Sequence, residues 1–396
     1  MKLLNYAAMA LTMGLFVLAA QPVAAFETRP QTAGARTAQK PVVKVRAQKP
    51  WQMPPLILVK KPLVYYNAGF FSGDMTGWTP ITNGASKGGA SMIQTANGSY
   101  IITRGGDNGI YIAPFDPGQP AVIDSSAWTL LNEGATSEPS CVYVPTKDYE
   151  KSGYLMSGIS RCGFLGATGN ALVSETYWNI DGMENGFWDE LYGENGGAAP
   201  TIISGPVEAY VGPGAFLTQY GVVVWDGATG LFQESVAYQS KGFGGNRTKD
   251  WVDWTKKPDA ITSPPGCVIV GPAYSVCAVA TDDNRVHIIE FGAPGEPITW
   301  LSAVSDVMPD GLSGKPALVR LKSGRVAIVM RTKKGTLAQA LYDYSDGFTG
   351  GWKNEGGFVI AGSTPTCLAR NEQPVCVIQG NGGKLYAKAL AAPSGL

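Results

Sequence analysis

The chain has 396 residues, with 31 basic and 31 acidic side chains, one histidine and 51 glycines. Zero net charge excludes a strongly basic nucleic-acid binder, and a lone histidine excludes histidine-rich metal sites. Abundant glycine, many aromatics and the lack of strong helical periodicity favour short strands joined by tight turns.

The first element is an export signal. Lys2 supplies a positive start, Ala7 to Ala20 is an uncharged apolar run, and Val23-Ala24-Ala25 offers small residues for cleavage. The run is short for a spanning helix, which needs about 20 apolar residues. Residues 1–25 are therefore expected to be a signal peptide, and the mature protein to be secreted or periplasmic. No later stretch is long and apolar enough to span a membrane.

Residues 26–61 read as a basic disordered linker, with Arg29, Arg36, Lys40, Lys44, Arg46, Lys49, Lys60 and Lys61 against Glu27 alone. Such a segment buries too little apolar surface to fold by itself. Residues 62–396 then form one domain.

That domain repeats. Each unit carries a Trp: Trp78, Trp128, Trp188, Trp254, Trp300 and Trp352. A Ser-x-Pro element follows as Ser137-Glu138-Pro139, Ser204-Gly205-Pro206, Ser263-Pro264-Pro265 and Ser363-Thr364-Pro365, with one extra residue in Ser313-Gly314-Lys315-Pro316. After each Pro come a hydrophobic strand, a second strand, a Gly or Asn-Gly turn and a third strand. A fourth strand leads to the next Trp. Turns such as Gly106-Asp107-Asn108-Gly109 suit hairpins because they need positive φ. Four antiparallel strands repeated at about 40–50 residues are the sequence form of a propeller blade. The fold class expected is all-β: a six-bladed β-propeller of four-stranded blades. The last unit supplies only three strands, so the strand-like segment Pro62 to Trp78 is expected to complete it and close the ring.

The repeat also pairs the cysteines. Cys141, Cys267 and Cys367 each sit two residues after the repeat proline, and Cys162, Cys277 and Cys376 fall at or near the second strand of the same unit. Residues symmetric about a hairpin turn face each other, which predicts Cys141–Cys162, Cys267–Cys277 and Cys367–Cys376. No CxxC pair or histidine partner supports a metal site.

Catalytic signals are sparse. His287 lies in a strand pattern, and no GxSxG turn accompanies it. Asp181, Glu184, Asp189, Glu190 and Glu194 cluster around Trp188, but in what reads as a long, solvated polar connection without EF-hand spacing. Ser72-Gly73-Asp74-Met75-Thr76-Gly77-Trp78 is a near miss for the Asp-box turn of sialidases. No GxGxxG or P-loop pattern opens a helix, so no cofactor is expected. The chain reads as a binding protein rather than an enzyme, with a carboxylate-based, sialidase-like glycosidase as the catalytic alternative and a protein-binding scaffold as the other.

The Trp-x-x-Leu/Ile, Gly-rich, Pro-strand and Arg-Gly-x-Asp-x-Gly unit resembles the blades of bacterial fucose-type β-propeller lectins, the PLL-like group. The clearest match is Thr103-Arg104-Gly105-Gly106-Asp107-Asn108-Gly109-Ile110-Tyr111, within a resemblance covering Trp78 to Leu390. The resemblance implies a lectin whose partners are glycans, fucosylated or other cell-surface sugars. A sugar offers C–H faces to aromatic rings and hydroxyls to charged forks. The candidate ligand-binding residues are Arg104, Trp225 and Arg331 at second-strand ends, with Asp107, Asp226 and Arg285 in the following turns. The repeat tryptophans are expected to pack between blades.

Overall fold

The computed structural model describes residue 75 and residues 77–119, 123–145, 156–179, 182–195, 201–212, 215–226, 231–240, 246–248, 252–253, 261–271, 274–291 and 299–392. Residues 1–25 and 26–61, read from the sequence as a signal peptide and a basic linker, lie outside the described residues, as does the segment 62–74. The fold is an all-β propeller. No α-helix occurs among the described residues, and none is long and apolar enough to cross a membrane.

The strands form antiparallel sheets in which strand order follows chain order. Sheet 1 holds Ala90–Thr95, Gly98–Arg104, Ile110–Pro114 and Thr129–Asn132. Sheet 2 holds Ser140–Pro145, Met156–Leu165, Asn170–Asn179 and Gly182–Asn195. Sheet 3 holds Thr201–Gly212, Ala215–Asp226 and Leu231–Ser240, the last flanked by Asn246–Thr248 and Val252–Asp253. Sheet 4 holds Gly266–Gly271, Tyr274–Ala280, Val286–Phe291 and Thr299–Val304, and sheet 5 holds Leu312–Arg320, Val326–Thr332, Leu337–Asp343 and Gly347–Gly356. Sheet 6 combines Thr366–Arg370, Gln373–Gln379 and Lys384–Ala389 with Thr79–Ala85 from the other end of the domain.

First strands of successive sheets are neighbours, and Thr366–Arg370 returns to Ala90–Thr95. The core fills the spaces between sheets. One cluster joins Val276, Ala278 and Ile288 of sheet 4 to Leu318, Val326 and Ile328 of sheet 5, and another joins Ala327 and Val329 of sheet 5 to Cys376 and Ile378 of sheet 6. Strands with apolar residues on both faces are needed for this, because each sheet is sandwiched between two others.

The structure corrects several expectations from sequence. The closing strand is Thr79–Ala85, not Pro62 to Trp78; it pairs with Lys384–Ala389 through Thr79↔Ala387 and Pro80↔Tyr386. The repeat tryptophan marks the outermost strand of a sheet rather than the start of a new unit. Trp128 immediately precedes Thr129–Asn132, Trp300 and Trp352 lie within outermost strands, and Trp78 precedes Thr79–Ala85. Pro80 is tolerated because an edge strand has a side that bonds nothing.

Secondly, the acidic run around Trp188 is not a loop. Gly182–Asn195 is the outermost strand of sheet 2, with Trp188 opposite Ser174 and Glu190 opposite Leu172. An outermost strand keeps one side toward water, so a polar sequence suits it. Thirdly, Ser204-Gly205-Pro206 lies inside the first strand of sheet 3, which starts at Thr201; the register shifts between Ser204 and Glu208, where the proline removes a ladder donor. Lastly, sheet 3 departs from the four-stranded pattern, because its outer position is shared by two short strands.

The cysteine pairing follows the predicted hairpins. Cys141–Cys162, Cys267–Cys277 and Cys367–Cys376 are disulfides between directly opposed residues, in sheets 2, 4 and 6. The Asn371 turn is described, with φ of 59° at Asn371; the turns about residues 151–152 and 272 lie outside the described residues.

Candidate functional site

Antiparallel order puts the turn between second and third strands on the same end of the molecule as the segment entering the next sheet. The two are joined by one recurring bond. The carbonyls of Asn108, Asn284, Gly335 and Gly383 accept the backbone N–H groups of Ala135, Met308, Val359 and Ser86 at 2.8–3.0 Å. All four acceptors have positive φ, at 67°, 62°, 90° and 75°. Glycine and asparagine reach that region most easily, so these turns also lock sheets 1, 4, 5 and 6 to the sheet that follows each.

The Ser-x-Pro element has a matching role. Ser137 Oγ accepts the N–H of Leu165, and Ser263 Oγ accepts that of Ala280, both at 2.8 Å. These are the last residues of second strands, so in sheets 2 and 4 the serine fastens the start of the sheet to the end of its second strand. Ser313 Oγ accepts from the Arg331 guanidinium at 2.7 Å instead.

In sheets 2, 5 and 6 the residue before the repeat proline faces the axis, where the first strands of the six described sheets converge on a channel of about 100 Å³. Met92, Cys141, Thr201, Cys267, Ala317 and Cys367 line it, one from each sheet. Glu138, Lys315 and Thr364, each the residue before a repeat proline, bring polar chemistry to it. Thr364 donates to Glu138 Oε1, and Lys315 Nζ donates to Ser140 Oγ at 2.6 Å, so side chains of sheets 5 and 6 reach sheet 2 across the axis. Protein surrounds both charged groups. Burial raises the Glu138 carboxyl above its ordinary value, opposed by the Thr364 bond and by the Lys315 and Arg104 charges. Burial also draws the Lys315 amine down to about 8. Glu138 Oε2 lies where a side chain on Gly89 would sit: a Cβ there would be 2.2 Å away. That explains Gly88-Gly89 replacing Ser-x-Pro in the first unit.

The residues singled out from the sequence occupy this end of the molecule in four different sheets. Arg104 ends the second strand of sheet 1, its guanidinium 3.5 Å from the Lys87 carbonyl and from the place of a Cβ on Gly88. Asp107 organises its own turn: Oδ1 accepts from Gly109 N at 3.0 Å and Oδ2 accepts from the Tyr111 hydroxyl. Burial, then that bond, holds the Tyr111 phenol far above its ordinary value. Lys87 Nζ donates to Asn108 Oδ1 at 3.0 Å on the same rim.

Trp225 is partly buried against Val223, Cys277, Val279 and Ile289, so much of its ring is packed between sheets 3 and 4; its Nε1 is buried without a hydrogen-bond partner. Asp226 closes the same strand, and its side chain lies outside the described residues. Arg285 pairs with Asp283 at 3.4 Å and donates to the Ser305 carbonyl at 3.1 Å. Arg331 donates to the Val359 carbonyl at 2.9 Å as well as to Ser313. These two arginines clip seams between sheets, while Arg104, Asp107 and Lys87 share one rim. His287 lies within the third strand of sheet 4, half-buried, and burial lowers its pKa. The near Asp-box falls largely outside the described residues.

The sequence reading missed Glu138, Lys315 and Thr364. Their signal was present: they are the variable position of an otherwise regular element.

No protein-family model matches the sequence, and none of the curated proteins matches it. Among solved structures the chain is similar to AofleA from Arthrobotrys oligospora, with a TM-score of 0.51 and 8% identity over 76% of this chain and 83% of that one. It is also similar to the fucose-specific lectin from Aleuria aurantia, at 0.47 and 11% over 82% and 99%, and to the Trypanosoma rangeli sialidase, at 0.41 and 10% over 78% and 55%. At these identities the likeness concerns the fold.

Proposed function

We propose that this is an exported, six-bladed β-propeller that binds carbohydrate and catalyses no reaction, each of the six sheets being one blade. The observation that carries the reading is the rim between sheets 1 and 2. There the Arg104 guanidinium, the Asp107–Tyr111 pair, the Asn108 amide and the Lys87 amine alternate donors and acceptors around one seam. Hydroxyl-rich ligands are held by such alternation, since each sugar hydroxyl both donates and accepts. Glycans with fucose are the first candidates, given the lectin-like blade unit around Arg104. The leader at residues 1–25 supports export to a compartment where such glycans are met.

A glycan array on the mature protein tests this. Binding to defined glycans that falls about tenfold or more in Arg104→Ala, with the melting temperature little changed, is the expected result. A blank array together with capture of a protein partner would replace the reading with that of a scaffold.

A further inference from the structure

The opposite end of the molecule holds a second pocket, larger than the axial channel. It encloses about 410 Å³ and is lined by Val270, Arg320, Ser323, Arg325, Asp343 and Tyr344, together with Gly324. Its parts come from three hairpin ends. Val270 sits at the end of the first strand of sheet 4. Arg320 and Arg325 flank the turn between the first and second strands of sheet 5, and Asp343 and Tyr344 open the turn between its third and fourth strands. These turns lie at the end remote from Arg104 and Asp107, because successive strands run in opposite directions.

Each wall is fixed by local chemistry. The 321–325 turn closes through Leu321 N to the Arg325 carbonyl at 2.8 Å, with Gly324 at φ of 93°. Asp343 Oδ1 accepts from Ser345 N at 2.8 Å and Ser345 Oγ at 2.6 Å, which lowers the carboxyl below its ordinary value and keeps it charged. Tyr344 rests edge-on against buried Tyr342 at 5.5 Å between ring centroids, and Tyr342 packs on Phe348 at 5.6 Å. Tyr344 nevertheless stays 41% exposed, an aromatic side chain braced against Tyr342. Arg320 is exposed, and its charge acts on the neighbouring Tyr344 phenol.

A braced aromatic ring, two guanidiniums and one carboxylate around a void of this size form a particular combination. The ring offers a platform for the C–H face of a pyranose. The charged acceptor Asp343 suits a pair of sugar hydroxyls, and the exposed Arg320 fork suits a carboxylate. The volume falls in the range of about 300–1,000 Å³ usual for small-ligand sites, whereas the axial channel, at about 100 Å³, falls below it. We propose that this pocket is a second glycan site, on the face opposite the first, that takes an acidic sugar unit carrying a carboxylate, of the uronic-acid type. The inference rests on the carbohydrate reading above for its class of ligand, but on different residues.

The test is titration of the mature protein with methyl glucuronide and methyl glucoside, followed by ligand-detected NMR. The glucuronide should bind, with affinity falling as salt rises, and the neutral glucoside should bind at least about tenfold more weakly. Arg320→Ala should remove that preference, Arg320→Lys should restore part of it, and Tyr344→Ala should weaken both sugars while Tyr344→Phe does not. Equal binding of the two glycosides, or glucuronide binding that survives Arg320→Ala in a variant with the parental melting temperature, overturns the proposal. If neutral glycans bind on the array but glucuronide does not bind here, this inference falls and the carbohydrate reading stands. If no glycan binds in either experiment, both fall.

Discussion

Lys315 and Glu138 bring opposite charges into one enclosed channel without a direct ion pair, and each is held by a hydroxyl of another sheet. Their proton equilibria follow from that burial. Lys315 has a folded pKa of about 8 against an ordinary 10.5. Between those values the unfolded chain holds the proton and the folded chain has released it, so stability rises with pH across that window and is flat below about 8. Glu138 is shifted the other way: stability falls as pH rises from its ordinary 4.5 through its raised folded value. Melting temperatures recorded from pH 7 to 10.5 should therefore show a rise in the parent that is reduced in Lys315→Met; an unchanged profile would place the amine in water rather than in the channel. Arg331 gives a second test at this scale. It joins the Val359 carbonyl to Ser313 across a seam, so Arg331→Ala should cost about 1.5–3 kcal/mol, as for hydrogen bonds to charged groups. Denaturant unfolding measures it. A loss of ligand binding without that destabilisation would assign the side chain to a site instead of a clip.

The hairpin between first and second strands is the element on which the sheets are built, and in sheets 2, 4 and 6 a disulfide bridges it. The bridges join residues separated by 21, 10 and 9 positions. In the chain-entropy picture each contributes about 2–3 kcal/mol, with the longest loop giving slightly more. Replacing both members of Cys367–Cys376 by Ala should lower the stability by that order and leave a folded protein, because the ladder around the bridge is intact from Thr366↔Val377 to Arg370↔Gln373. Calorimetry of the double variant decides it, and complete unfolding would show that the bridge, not the ladder, sets the register. The hairpins were legible in the sequence because strand alternation and turn residues are local, and a cysteine pair symmetric about a turn adds a second local constraint. The element misread was the strand Gly182–Asn195. Its acidic, glycine-containing sequence has weak strand propensity, and pairing with Asn170–Asn179 overrides it.

At the scale of the molecule, the two ends of the domain meet in one sheet. Thr79–Ala85 covers the edge of Lys384–Ala389 and places Ile81 in the cluster of sheets 1 and 6. Without it that edge would present unpaired backbone groups, and unpaired edges recruit other chains. Deleting residues 79–85 should yield a protein that aggregates and loses cooperative unfolding, seen by light scattering and calorimetry. Parental behaviour in the truncated chain would refute closure by this strand.

The sequence by itself determined what depends on neighbours along the chain. It gave the all-β class, the repeat, the turns at Asn108 and Asn371, the three cysteine pairs and the regular recurrence of Trp. Tertiary structure decided everything that depends on how one sheet meets the next. It set the phase of the unit, so that Trp marks an outermost strand and Thr79–Ala85 closes the domain. It turned Glu138, Lys315 and Thr364 toward the axis, assigned Arg285 and Arg331 to carbonyls across seams, and gathered Arg320, Asp343 and Tyr344 at the far end. The physical reason is one of range. A hairpin is specified by φ preferences and side-chain alternation within a few residues, whereas the direction and partners of a side chain at a sheet end are set by a neighbouring sheet whose position leaves no local mark on the sequence.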